Sequence, residues 1–279
     1  MAIVTIKLKE YKKDASPTED AIIDYILEKP EETSRLTIHQ LAEKTFTSPS
    51  SIIRLCKKNG YTGYKEFIKE LIYEQAIREN YKEKSITDLK RTDDTDNIIL
   101  KVTHKNILSL EETQMILDPK VIDRCIRALR ECDRLYIFGI GASQIVAQDA
   151  KLKFIRINKM ALVSEDSHTQ LVYSRTMTKK DLAIIISYSG RTDEMVRCAV
   201  NAKENGAMVI SITKIGDTPI GELADYSLYV ASNEFSFRSG AMSSRIAQLN
   251  LIDILYSSYV SQMYDDSLEL LEKTQIRKD

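Results

Sequence analysis

An apolar run from Leu182 to Ile186 leads directly into Ser187-Tyr188-Ser189-Gly190-Arg191-Thr192, and Asp193 to Glu204 then has helical spacing. Three hydroxyls and several backbone N–H groups therefore converge between a strand's carboxyl end and a helix's amino end, where the helix dipole favours an anion. Phosphate suits such a loop. Ser187, Ser189 and Thr192 can donate without bringing charge, and Gly190 permits close backbone approach. An earlier stretch repeats the logic: Leu135 to Phe138, then Gly139-Ile140-Gly141-Ala142-Ser143, then another helix. In open α/β sheets ligands lie outside the carboxyl ends of the strands, so both loops can face one pocket. Capping is the purely structural use of Ser143 and Thr192. Two such loops in one sheet favour a ligand. A third suitably placed glycine and a ribose-binding acid are missing, which speaks against a dinucleotide.

A different chemistry lies nearer the amino terminus. From position 44 to 65 the charged residues are Lys44, Arg54, Lys57, Lys58 and Lys65, with no acid, giving +5. The preceding stretch Glu19 to Glu32 has six acids against Lys29, giving -5. Thr37 can cap a helix running to Lys44, Phe46-Thr47-Ser48 turns the chain, Ser48 and Pro49 open a second helix, and Gly60 closes it. This is the layout of a helix-turn-helix, whose second helix enters the DNA major groove. With Ile52, Leu55 and Cys56 pointing inward, Ser50, Ser51 and Arg54 are left to face bases, while Lys57, Lys58 and Lys65 serve phosphates. Lysines near Gly60 also suit the negative end of the helix dipole. That use does not account for Arg54 or Lys44.

The elements that carry these residues differ in period. From Thr18 to about Leu117 apolar residues recur at three and four, as in Ile22, Ile23, Ile26 and Leu27, which predicts an all-α region. After Asp133 short apolar runs at 135–138, 161–163, 182–186, 208–212 and 228–230 alternate with helix-length stretches. Strands apolar on both faces predict a parallel sheet with helices on each side, a three-layer α/β sandwich. The polar stretch from Lys82 to Asp96 reads as a linker. The expected division is an all-α domain over 1–81, a linker over 82–96 and an α/β domain over 97–279. Between Met242 and Met263, Met242, Ile246, Leu249, Ile252, Tyr256, Tyr259 and Met263 form one stripe, broad enough to predict packing against a second subunit.

Composition removes other classes. The 279 residues hold 40 Lys plus Arg against 41 Asp plus Glu, a net charge of -1, so any basic surface must be local. No apolar run approaches the ~20 residues that span a bilayer, and the lysine-rich start lacks the pattern of a signal peptide. A cytoplasmic protein with no membrane association is expected. Cys56, Cys125, Cys132 and Cys198 have no metal or redox spacing, and His39, His104 and His168 are scattered. No metal and no cofactor are expected, and the thiols read as buried or incidental.

The two strand-end motifs, together with Asp166-Ser167-His168-Thr169-Gln170, Ala207 to Thr213 and Ser239-Gly240-Ala241-Met242-Ser243-Ser244-Arg245, resemble a sugar isomerase (SIS) domain. Preceded by Ser48 to Lys58, they make the chain from Thr18 to about Met263 similar to RpiR-type bacterial transcriptional regulators. The resemblance implies a five-stranded parallel sheet, a homodimer or homotetramer, and a phosphorylated sugar as effector. It assigns Ser143, Ser187, Ser189 and Thr192 to phosphate and sugar contacts, with Gly141 and Gly190 in their loops. Glu234 matches a family acid near the pocket and His168 a family histidine. The expected function is a regulator of transcription that binds operator DNA and senses the sugar phosphate, with no catalytic residue and no enzyme activity. Its rival is a phosphosugar isomerase or lyase whose helical domain only supports assembly. The acid-free stretch from Lys44 to Lys65 separates them, since an isomerase has no evident need for it.

Overall fold

Proline and hydroxyl residues set the helix starts in the first of the two units into which the chain divides, Met1–Thr87 and Asp88–Asp279. The computed structural model describes residues 4–79, 89–232 and 241–275. The first unit contains α1 (Val4–Tyr11), α2 (Pro17–Glu28), α3 (Pro30–Ser34), α4 (Ile38–Lys44), α5 (Pro49–Lys58) and α6 (Tyr64–Glu79). Ser16 caps α2 in a reciprocal box with Glu19, and Pro17 occupies the first turn, where no N–H is needed. The acidic stretch Glu19 to Glu32 is split rather than continuous. Pro30 lacks the N–H that α2 would need to go on, so the chain leaves the helix at Lys29 and restarts as α3. The helical region also begins earlier than Thr18. Val4 and Leu8, one turn apart on α1, are fully buried with Ile22, Ile26, Leu41, Ile52, Leu55 and Phe67 in one core.

The second unit runs α7 (Thr95–Ile116), α8 (Pro119–Glu131), β1 (Arg134–Gly139), α9 (Ala142–Arg156), β2 (Ala161–Leu162), α10 (Ser167–Thr176), β3 (Asp181–Ile186), α11 (Asp193–Glu204), β4 (Met208–Thr213), α12 (Pro219–Leu223), β5 (Tyr226–Tyr229), α13 (Met242–Gln262) and α14 (Tyr264–Lys273). The sheet is five-stranded and parallel, in the order β2-β1-β3-β4-β5, as expected. Side chains alternate between its faces. Leu135, Ile137, Leu182 and Ile184 join α8, α9 and α13 in one core, whereas Tyr136, Phe138, Ala183 and Ile185 join Met195, Cys198 and Ala202 of α11 in another. Three layers result. The last strand begins two residues before the expected Leu228 to Val230 and ends one residue before its end, because its pairing with β4 runs from Tyr226 opposite Ile210 to Tyr229 opposite Thr213.

Two sequence expectations change. Of the expected linker, positions 82–88 lie outside the described residues, and the rest is folded: Lys101 reaches Asp93 at 2.7 Å and the Asp94 side chain caps α7, so the helix starts at Thr95. The apolar breadth of α13 is used largely within the chain. Ala247, Leu251, Ile252 and Leu255 are buried, and Leu249, Tyr256 and Tyr259 pack partly buried on the same core.

Candidate functional site

The helix-turn-helix is built by its caps. Thr37 starts α4, and its backbone N–H donates to the Gln40 side chain at 2.8 Å. Ser48 starts α5 by accepting from the Ser51 N–H at 3.1 Å, and Gly60 closes it with φ +83°. Ser51 does not face outward as expected. It is buried, with its hydroxyl 3.0 Å from that of Ser48, and so belongs to the cap. The exposed residues of α5 after its first turn begins are Ser50, Ile53, Arg54, Lys57 and Lys58.

Folding brings the segregated charges back together in part. Lys44 lies 2.6 Å from Glu32, and Lys58 lies 2.8 Å from Glu19 and donates to the Tyr11 hydroxyl at 3.0 Å. Burial alone would raise the Glu19 carboxyl, but Lys58 and the Ser16 amide and hydroxyl outweigh it and bring it down to about 2. Lys44 and Lys58 thus hold α4 and α5 to the acidic helices. Arg54, Lys57 and Lys65 are exposed and form no ion pair among the described residues.

In the second unit, β1 and β3 are hydrogen-bonded neighbours with Gly139 opposite Ile186, so the loops that follow them emerge side by side. Their helices go to opposite faces: α9 packs in the core with α8 and α13, α11 in the other. The sheet order reverses at this point, which is where open α/β sheets form a ligand crevice. Gly139 is required for the tight entry to α9, since a Cβ there would meet the Ser143 carbonyl at 2.7 Å. Gly190 has φ +63° and a Cβ on it would meet the Thr218 hydroxyl at 2.5 Å.

The hydroxyls of this crevice are not spent on helix caps. Gly141, not Ser143, is the N-cap of α9, and Ser143 donates instead to the Gln248 side-chain oxygen at 3.3 Å. Thr192 is the N-cap of α11, yet its side chain makes no capping bond and lies 3.1 Å from the Ser187 hydroxyl. Ser189 accepts from the Arg191 N–H at 3.2 Å, and Arg191 reaches the Asp217 carbonyl at 2.8 Å. His168 is exposed in the first turn of α10, and Glu234 lies outside the described residues. Sequence reasoning passed over Gln170, two residues from His168. It is buried and clamps the end of β1, accepting from the Gly139 N–H at 3.1 Å and donating to the Gly139 carbonyl at 2.9 Å. Its only signal was a place in the same short motif as His168.

Among the described residues no group of three or more His, Cys, Asp or Glu is placed to share a metal, and no helix is long and apolar enough to cross a membrane. All four cysteines are free, and burial pushes the Cys56 and Cys125 thiols up to about 12.

Comparison with known proteins matches the model of the helix-turn-helix domain of the rpiR family over 3–77 and that of the SIS domain over 128–258. An uncharacterised HTH-type transcriptional regulator of Caldanaerobacter subterraneus subsp. tengcongensis is 37% identical over 98% of this chain and 96% of its own length. The regulator YbbH of Bacillus subtilis is 31% identical over 96% of this chain and 94% of its own. Among solved structures, the Vibrio vulnificus NanR protein complexed with ManNAc-6P is 27% identical, covers 97% of this chain and 96% of its own, and superposes with a TM-score of 0.60. The sugar isomerase domain of an RpiR transcription factor from Sphaerobacter thermophilus shares the fold at 18% identity and a TM-score of 0.58, over 63% of this chain and 96% of its own. The chain belongs to the rpiR family of HTH-type transcriptional regulators, with an amino-terminal helix-turn-helix and a SIS domain behind it.

Proposed function

We propose that this regulator binds double-stranded operator DNA through α5 and that a phosphorylated sugar, held between the β1 and β3 loops, changes that binding. The observation that carries the effector reading is the use of the hydroxyls. Ser143, Ser187 and Thr192 stand at the switch point of the sheet, and neither the Ser143 nor the Thr192 hydroxyl makes a helix-capping bond. Ser187, Ser189, Thr192 and the loop amides would take the phosphate, and Ser143 with His168 the sugar. The Vibrio vulnificus NanR structure, similar over almost the whole chain, holds ManNAc-6P, which makes an amino-sugar phosphate the first candidate. On the DNA side, Arg54 and Ser50 would read bases while Lys57 and Lys65 hold phosphates, with Lys44 and Lys58 contributing mainly to the fold.

The reading is of a cytoplasmic protein without enzyme activity, and its support is that the curated relatives matched over the whole chain are named transcriptional regulators. We assign DNA binding to the residues before the junction at 82–88 and effector binding to those after it. A homodimer or homotetramer would pair the recognition helices on two half-sites. The face we assign to that contact is α9, where Ile145, Leu152 and Ile155 form an exposed stripe. A gel shift with DNA from upstream of the chain's own gene, run with and without hexose, pentose and amino-sugar phosphates beside an isomerase assay, tests the proposal. A shift that responds to one sugar phosphate is expected. Turnover of a phosphosugar without any shift would make the chain an enzyme.

A further inference from the structure

Phe46 sits between α4 and α5, two residues before the Ser48 cap, and its side chain is 97% exposed. Its φ is +52°, in the left-handed region where any side chain crowds the backbone. The conformation is held from both sides. Phe46 N–H donates to the Glu43 carbonyl at 3.2 Å, Thr47 N–H donates to the Ala42 carbonyl at 2.9 Å, and the Thr45 and Thr47 hydroxyls are 2.8 Å apart. Glycine is the residue that ends helices in this way without strain. Phenylalanine here strains the backbone and leaves a whole ring in water. Among the described residues of this unit the ring joins no apolar core.

We infer that the Phe46 ring is an apolar reader of thymine at the edge of the groove that α5 enters, an inference that rests on the DNA-binding reading above. A helix-turn-helix presents the amino-terminal end of its second helix to the major groove, and the turn that carries Phe46 adjoins that end. Glu43 precedes the turn, but from Lys44 to Lys65 the chain has no acid, so the charge that follows the ring into α5 is only positive. The thymine 5-methyl is the apolar group that base pairs present in the major groove. An aromatic ring leaving water there gains most from that methyl. Arg54 and Ser50 supply polar readout on α5; Phe46 adds an apolar position that polar side chains cannot supply.

The test uses the full chain and a duplex footprinted from the upstream region of its own gene, with Kd measured for wild type, Phe46→Ala and Phe46→Gly. A second duplex replaces the footprinted thymines by deoxyuridine, which removes only the methyl groups. Both variants are expected to bind the natural duplex about fourfold or more weakly, the scale of one methyl removed from an apolar contact. The uracil duplex should weaken wild type similarly and leave Phe46→Ala unchanged. Phe46→Gly should melt no lower than wild type, which shows that lost affinity is not lost folding. Wild-type affinity in both variants would overturn the inference, as would equal losses of wild type and Phe46→Ala on the uracil duplex. If wild type itself binds no upstream DNA, the DNA-binding reading fails and this inference with it.

Discussion

The Ser143 hydroxyl donates to the Gln248 side-chain oxygen across 3.3 Å, joining the second residue of α9 to the interior of α13. These two residues are 105 positions apart, and both helices pack on the same face of the sheet. A ligand that takes over the Ser143 hydroxyl therefore acts on α13 as well as on the loop. A sugar phosphate can change DNA affinity only if it binds two arrangements of the protein unequally, and a typical coupling of ~1–3 kcal/mol corresponds to about 5–150-fold. The Ser143–Gln248 bond is a place where such a difference can arise.

The β3 loop is expected to be the sensor. Each of Ser187→Ala and Ser189→Ala removes an uncharged donor to a charged acceptor, a loss of about 1.5–3 kcal/mol. The double variant should be nearly deaf to the effector while its DNA affinity without ligand stays close to wild type. Titrating operator binding with and without the sugar phosphate checks this. A double variant that responds at wild-type ligand concentration would leave those serines a structural role alone.

Gly190→Ala should fail for a different reason. The added methyl meets the Thr218 side chain at 2.5 and 2.6 Å, and φ +63° strains any non-glycine residue. The two effects together should lower stability by about 1–3 kcal/mol. Thermal melts of the variant should show a lower Tm, and added effector should raise it less than in wild type.

On the DNA-binding face the lysines should divide into two classes. Arg54→Ala is expected to cost about 1–3 kcal/mol on operator and to relax specificity, since Arg54 is exposed on α5 without an ion pair among the described residues. Lys57→Ala should weaken all sequences alike and reduce the salt slope by about 1. Lys58→Ala should change the salt slope less and lower Tm more, because Lys58 is held by Glu19 and Tyr11. Equal losses for Arg54→Ala on operator and random DNA would remove its base-reading role.

The same ion pair sets a pH dependence. The Glu19 carboxyl sits at about 2 in the fold against an ordinary 4.5, so the unfolded chain binds more protons between those values and stability rises with pH there. The contribution is complete above about 4.5 and is lost as pH falls through about 2. With Lys58 half exposed and partly screened, it is on the order of 2 kcal/mol. Glu19→Gln should be less stable at pH 7, and its Tm difference from wild type should shrink steadily below pH 4.5. A difference that stays constant down to pH 2 would detach the effect from this carboxyl.

What was legible in the sequence was local. Thr37, Ser48, Pro49 and Gly60 act within a few residues of themselves, and the short runs apolar on both faces, each followed by a helix-length stretch, could be read as strands of a parallel sheet. What escaped was set at a distance. Ser51 has the same composition-level appearance as Ser50, and only the helix phase makes it the buried partner of the Ser48 cap. Lys44 and Lys58 looked free because their partners Glu32 and Glu19 lie 12 and 39 residues upstream. Much of the breadth of α13 is taken up by α7, α8, α9 and α14, neighbours that could not be counted from spacing. Gln170 and Gln248 were missed for the same reason, since their bonds run to the end of β1 and to α9.

Gln248 carries the last prediction. It is 1% exposed, and its amide nitrogen has no hydrogen-bond partner among the described residues. A buried amide left unsatisfied costs about 1–3 kcal/mol, and replacing it by an apolar group of similar shape can be neutral or stabilising. If the amide serves only the fold, Gln248→Met should leave effector binding alone. If it is kept for a ligand oxygen entering beside Ser143, Gln248→Met should hold or raise the Tm of the free protein and weaken the effector by about tenfold, the scale of one lost hydrogen bond. Ser143→Ala should weaken the effector similarly but lower the Tm of the free protein, since it leaves the buried Gln248 oxygen without its donor. The double variant should lose less effector affinity than the sum, because the two side chains share one bond. Thermal shifts against sugar-phosphate concentration for the four proteins give the cycle directly. Strictly additive losses would mean that Ser143 and Gln248 act on the ligand independently, and unchanged effector affinity in Gln248→Met would return the orphaned amide to the fold.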